Sequence, residues 1–328
     1  MTAVRIATRG SKLALWQAEH IKAELIAREP GLLVELCVVK TVGDRVLDRS
    51  LSAIGGKGLF TKEDEDALLD GRADLAVHSL KDVPTEETDG LCIAAFPPRE
   101  QPWDALLVNP ALGRGIATPT SREARTLLQQ LPPQARLGTS SLRRACQILA
   151  LRPDLQVVPL RGNVDTRLRK LLDGELDAAV LAAAGLVRLG LGQHIAAQFS
   201  QEELLPACGQ GALAVQCRRD DQATLTRLLR LDDYVTRQAV LAERALNQRL
   251  GGSCQTPLAA YARLGPLGPG QVGAGLTLTA MVGSLDGKTV LRSSATGSVD
   301  SPAAVAETVA TALLAQGAQS LLRSDAAR

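Results

Sequence analysis

The feature that most constrains this chain is an alternation that runs through it twice. A short apolar stretch breaks at a glycine, serine or arginine turn and leads into a helical pattern. That order suits a largely parallel sheet, because parallel strands need long crossover connections, usually helices. In the first set, residues 4–8 read as a strand, 11–27 as a helix ending near Pro30-Gly31, and 34–42 as a second strand. After the Gly55-Gly56-Lys57-Gly58 loop, Thr61 opens a helix that runs to about Asp70-Gly71. Residues 75–77 and 91–96 are further strands, and Pro97-Pro98 with Pro102 then break the pattern.

In the second set, 106–108 reads as a strand and 121–130 as a helix ending before Pro132-Pro133. Residues 136–138 form a strand leading into a helix over 140–151, and 155–160 another strand. Asn163 caps a helix to Asp173-Gly174, and 178–183 is a strand. Residues 204–211 resemble a second crossover, returning the chain through a strand at 212–217. The expected fold is α/β, with two lobes like those of periplasmic binding proteins, mixed and largely parallel sheets, and a ligand cleft between them. The last hundred residues leave this alternation. They hold a long helix over 233–250, strands at 276–282 and 288–295, and a helix opening at Ser301-Pro302. They read as a small α+β domain. The expected division is lobe 1 over 1–98 and 212–230, lobe 2 over 103–206, and a C-terminal domain over 233–328.

Composition narrows the function. Aromatics make up 2% and the formal net charge is +2, which disfavours nucleic acid by both charge and stacking. No apolar run approaches the ~18 residues of a membrane span, and the N-terminus lacks the charged and apolar regions of a signal peptide. The six cysteines show no metal-like spacing, so no metal site is expected, and reduced thiols in a cytoplasmic protein follow. Five of them sit in apolar or helical patterns as core fillers. The sixth, Cys254, follows Gly251-Gly252-Ser253 just after a helix, where it is either a thiol that can reach a ligand or a half-buried hinge residue. With only His20, His78 and His194 in the chain, and none near it in sequence, a cysteine hydrolase has little support.

Four motifs fall where strands end and helices or loops begin, which is where ligands collect in parallel sheets. They are Arg9-Gly10-Ser11, His78-Ser79-Leu80-Lys81-Asp82, the run from Gly138 through Thr139 and Ser141 to Arg143-Arg144, and the run from Arg161 to Arg167. Hydroxyls and free N–H groups at a helix start, with arginines one turn in, make an anion site. Each motif taken singly is equally a capped helix with a solvated basic face. Together they point to a ligand bearing several carboxylates or phosphates. The glycine spacing matches neither a Walker loop nor a dinucleotide turn. Asp82, among cationic neighbours, is either a turn cap or a fixed carboxylate able to stabilise a developing cation. His78 reads as a structural residue ending a buried strand.

These motifs, in this order, closely resemble the porphobilinogen deaminase (hydroxymethylbilane synthase) family. The likeness is carried by residues 5–9, 55–63, 76–84 and 138–144, by Leu160 to Val164, by Gly209-Gln210-Gly211-Ala212 and by Ala242-Glu243-Arg244-Ala245. The resemblance implies three domains and a dipyrromethane cofactor joined by thioether to Cys254. It also implies sequential addition of four porphobilinogens with loss of ammonia, and release of hydroxymethylbilane by water. Asp82 would be the catalytic residue. Cys254, Ser79, Lys81, Thr139, Ser141, Arg143, Arg144 and Arg188 would hold the cofactor, and Arg9, Ser11, Arg161 and Arg167 the substrate. The partner would be porphobilinogen alone and the protein a monomer. The competing reading is a non-catalytic two-lobed binding module for a small polycarboxylate, which has no need of Cys254 or a third domain. The chain departs from the family pattern at Ser253, at Ala53, at Gln101-Pro102-Trp103, and at Asp64, where an apolar residue, often leucine, is expected. If Asp64 is buried, the expectation is a packing loss of ~2–5 kcal/mol in the first lobe.

Overall fold

Strand β1 (Val4–Arg9) has both faces covered: Ile6, Ala7 and Thr8 are all fully buried, as a strand inside an α/β layer requires. The computed structural model describes residues 3–39, 61–112, 123–253, 256–267 and 274–326. Two compact units emerge, Met1–Glu100 with Gly211–Arg237, and Gln101–Gln210 with Gln238–Arg328.

In the first unit, β1 pairs in parallel with β2 (Val34–Val39) and β3 (Leu75–Ser79). Helix α1 (Lys12–Arg28) starts where Ser11 accepts the Ala14 N–H at 3.3 Å, a side-chain cap on an otherwise orphan donor. It buries Ala18, Ile21 and Leu25 in a core with Val4, Ile6, Leu75 and Val77. Helix α2 (Lys62–Leu69) covers the other face, where Ala67 and Leu68 join Ala7, Ala76 and Leu91. With β4 (Leu91–Ala95) and β10 (Leu213–Arg218), the sheet order is β2-β1-β3-β10-β4, and β10 runs against the other four strands.

The second unit repeats this plan with β5 (Asp104–Val108), β6 (Arg136–Gly138), β7 (Gln156–Val158), β8 (Ala178–Ala182) and β9 (Ala197–Gln198). Their order is β7-β6-β8-β5-β9, and β5 is the reversed strand. Helices α3 (Ala124–Gln129), α4 (Leu142–Leu151), α5 (Val164–Leu172) and α6 (Ala183–Arg188) fill the connections. Both sheets are therefore mixed but largely parallel.

Helix α7 (Gln222–Leu228) follows β10, and α8 (Tyr234–Arg249) leads into a three-stranded antiparallel sheet of β11 (Leu258–Pro266), β12 (Ala274–Gly283) and β13 (Val290–Ser298). Helix α9 (Pro302–Ala315) lays Val305, Ala306, Val309, Ala310 and Leu313 on that sheet, the i, i+4 stripe of an amphipathic helix. Helix α10 (Ala318–Ala326) follows. No described helix is long and apolar enough to cross a membrane.

Some local expectations change. The strand expected over 178–183 stops at Ala182, where α6 begins; an unbroken run of alanine, glycine, leucine and valine carries no period to separate strand from helix. Strands β9 and β11 and helix α7 are not among the expected elements. Thr61, Asn163 and Ser301 occupy helix N-cap positions, yet none makes a side-chain capping bond. Of the cysteines described, Cys146 and Cys217 are buried and Cys37, Cys92 and Cys208 half-buried, all as free thiols. Cys254, Ala53, the Gly55 to Gly58 loop, residues 40–42 and the start of the helix expected from 121 lie outside the described residues.

Candidate active site

In the first unit the candidate chemistry sits at the carboxyl end of β3. The buried Leu80 pins a single 3-10 turn, Leu80–Asp82, its N–H donating to Ala212 O at 3.0 Å. Val83 N–H closes the turn on Leu80 O, also at 3.0 Å. Lys81 and Asp82 stand half-buried on this anchored turn. Ser79 accepts from the Gln17 amide at 2.8 Å, which fixes its hydroxyl oxygen beside α1. Arg9 ends the neighbouring strand β1, half-buried. The charges of Asp82 and Arg9 both act on the buried His78 imidazole, so the structure gathers these three groups at one end of the sheet. Ser11 departs from expectation in one respect: it spends an oxygen lone pair on the α1 cap, leaving its O–H to donate.

In the second unit the central object is a carboxylate that sequence reasoning missed. Asp104, at the start of β5, is fully buried. Its Oδ2 accepts Arg143 Nη1 at 2.7 Å, and its Oδ1 accepts Arg144 Nε at 2.9 Å and Nη2 at 2.7 Å. Oδ1 also accepts Gln210 Nε2 at 2.9 Å, while the same amide donates to Pro102 O at 2.6 Å. Arg143 Nη1 donates further to Leu205 O at 2.7 Å. Burial alone would push the Asp104 carboxyl up, but Arg143 and Arg144 outweigh it and hold it well below the usual carboxylate range. Asp104 thus holds both guanidiniums together at the α4 N-terminus. The Arg143 Nε–H is buried and has no acceptor. A buried N–H on a cation, left unsatisfied, favours an anionic oxygen.

The loop before α4 is held by a hydroxyl outside the expected set. Ser140 Oγ donates to Leu160 O at 3.1 Å and accepts Leu160 N–H at 3.0 Å, tying two strand-end turns together. The buried Thr139 accepts the Ser141 N–H at 3.2 Å. Arg161 is exposed. Arg167, one turn into α5, donates Nε to Gly162 O at 2.7 Å and so closes its own loop. That turn needs glycine: Gly162 has φ +107°, and a Cβ there would lie 2.8 Å from Thr166 Cγ2. Arg188 is buried at the end of α6. Trp103 packs edge-on against Tyr261 with ring centroids 5.1 Å apart, and Ser253 exchanges hydrogen bonds with Thr256 at 2.9 and 2.8 Å.

Asp64 is buried, 1% exposed, which is the condition set for a packing loss in the first lobe, and its Oδ2 stands 3.7 Å from His78 Nδ1. His78 lies within the core as expected, and its Nε2 meets Gln216 Oε1 at 3.0 Å.

Two like α/β sheets, with hydroxyls, arginines and an acidic turn collected at the strand ends, define a binding-fold enzyme for a small polyanion. More narrowly, the chain belongs to the porphobilinogen deaminase family. Residues 4–227 match the family model described as porphobilinogen deaminase, dipyromethane cofactor binding domain, and residues 237–315 match porphobilinogen deaminase, C-terminal domain. The chain is 48% identical over 318 residues to the porphobilinogen deaminase of Brevibacillus brevis, covering 97% of this chain and 96% of that one. It is 49% identical over 323 residues to that of Chromobacterium violaceum, covering 98% and 97%. Among solved structures it is similar to DctP7, an extracytoplasmic solute receptor of Bordetella pertussis, with 12% identity, coverage of 76% and 85%, and a TM-score of 0.40.

Proposed function

We propose that this protein joins four porphobilinogen molecules head to tail, with loss of ammonia at each addition, to give hydroxymethylbilane. The reading rests above all on near-full-length identity of about half to porphobilinogen deaminases. The dipyrromethane implied by the family, held as a thioether on Cys254, supplies the electron-rich pyrrole carbon at which each ring is joined. The residues present suit it. Its acetate and propionate groups are the acceptors that the buried Arg143 Nε–H lacks, and Arg144, Arg188, Thr139, Ser141, Ser79 and Lys81 complete the proposed contacts.

Each residue's part follows from charge and position. Loss of ammonia from porphobilinogen leaves an electron-poor, positively charged ring with its N–H still in place. Asp82 accepts that N–H and stabilises the cation from a turn that need not reorganise. Arg9, Ser11, Arg161 and Arg167 bind the substrate carboxylates and orient the incoming ring. Tethering the growing end replaces a bimolecular encounter with an oriented one.

The reading carries with it lobe 1 over 1–98 and 212–230, lobe 2 over 103–206 and a C-terminal domain over 233–328, in a monomeric, cytoplasmic transferase of tetrapyrrole and haem biosynthesis. Intact-mass measurement of the purified protein tests it. The expected result is an addition equal to two linked pyrrole units that disappears in Cys254→Ser. A bare chain in an active preparation overturns the reading.

A further inference from the structure

Gln147 lies one helical turn beyond Arg143 on α4, so the two side chains share a face. It is buried, and the reaction above leaves it unused. Its Oε1 accepts Leu205 N–H at 2.8 Å, and its Nε2 donates to Leu205 O and to Arg143 O, both at 3.1 Å. The amide therefore grips the Leu205 backbone by donor and acceptor at once, as a neighbouring strand would.

Leu205 is held in turn by the C-terminal sheet. Its side chain is fully buried with Cys146 of α4 and with Ala259 and Met281 of β11 and β12. The next residue, Pro206, offers its carbonyl to Ala260 N–H of β11 at 3.2 Å. The turn between β12 and β13 fixes the far end of α4. Gly287 there has φ +71°, and a Cβ on it would lie 2.6 Å from Ala150 N. Neither Leu205 nor α4 can shift without opening packed contacts.

This clamp decides what Arg143 can do. Leu205 O also accepts Arg143 Nη1 at 2.7 Å, and the same Nη1 donates to Asp104 Oδ2 at 2.7 Å. Both hydrogens of Nη1 are thus committed, which sets the plane of the guanidinium. In that pose the Nε–H is buried with no acceptor. Without the Gln147 amide, the Leu205 carbonyl loses its register on α4, and Asp104 alone leaves the guanidinium free to turn.

We propose that Gln147 is a positioning residue for cofactor binding. It sets the Leu205 carbonyl against α4, and that carbonyl together with Asp104 keeps the Arg143 Nε–H free for a carboxylate of the dipyrromethane. The clamp belongs to the fold, whereas its purpose rests on the cofactor contact given to Arg143 above.

Intact mass of the purified protein tests the role, read as the ratio of chain carrying the two-ring addition to bare chain. Gln147→Ala is expected to lower that ratio roughly three- to tenfold, the range of one net hydrogen bond. An unchanged ratio overturns the proposal. Two further variants separate positioning from loss of stability. Leu127→Ala truncates a buried α3 side chain outside the clamp and should lower the urea midpoint while the ratio stays at the wild-type value. A ratio that falls as far as in Gln147→Ala would make the role merely structural. Arg143→Lys keeps the charge but has no Nε–H, so adding Gln147→Ala to it should lower the ratio no further. A second drop as large as the first overturns the proposal. Normal loading in Arg143→Ala would instead sink the cofactor contact itself, so the two failures can be told apart.

Discussion

Replacing Asp104 with asparagine isolates the strongest electrostatic feature of the second unit. The carboxylate is fully buried and accepts four hydrogen bonds, three from the guanidiniums of Arg143 and Arg144 and one from the Gln210 amide. Asparagine keeps the shape but removes the buried carboxylate that both guanidiniums share, a change that typically costs 3–5 kcal/mol, so roughly 4 is expected here. Domains are stable by only about 5–15 kcal/mol, so the unit approaches its threshold. The two tryptophans fall in different units, Trp16 in the first and Trp103 in the second. Fluorescence of a Trp16→Phe protein therefore follows the second unit alone. At a slope of about 2 kcal/mol per molar, the urea midpoint should drop by about 1.5–2.5 M. The pH dependence carries its own sign. Asp104 is held low in the folded chain and returns to about 4 on unfolding, so its contribution is complete above that value and is lost as pH falls below it. The gap between wild type and variant should therefore narrow on acidification. A midpoint within about 0.5 M of wild type at neutral pH, or a gap that widens in acid, would refute the reasoning.

Asp82→Asn should keep the fold and the mass addition on Cys254 while turnover falls by about 10²–10³, the usual consequence of removing one preorganised charge; stopped and steady-state assays of ammonia release measure it. Arg143→Ala removes the buried cation whose Nε–H lacks an acceptor, and intact mass should show a large fraction of chain without the two-ring addition; normal loading counts against the assigned contact. Gly162→Ala forces a left-handed residue and a 2.8 Å approach to Thr166, so thermal unfolding should report a loss of about 1–3 kcal/mol, and an unchanged melting curve would show that the loop relaxes freely.

Local chemistry accounts for most of what could be read in advance. The strand-turn-helix order, the Ser11 cap and the buried His78 depend on residues within a few positions of each other, and spacing reports such relations well. The failures share one cause. Alanine-rich runs such as 178–188 satisfy strand and helix alike, and only their neighbours decide which forms. Cap-type residues at positions 61, 163 and 301 mark helix starts without making the bond. The approach of Asp64 to His78, fourteen residues away on another element, likewise leaves no trace in local spacing.

The sequence by itself determined the alternating α/β plan, the motifs at the strand ends and the family to which they belong, since each is written in short-range order. Tertiary structure alone decided that Arg143 and Arg144 face a buried carboxylate 39 and 40 residues earlier, and that β5 and β10 enter their sheets against the common direction. It also decided that Asp64 meets His78 across the covered face of β3. The physical reason is burial. Charges removed from water must find counter-charges wherever packing brings them, and no local pattern says which distant segment will supply them.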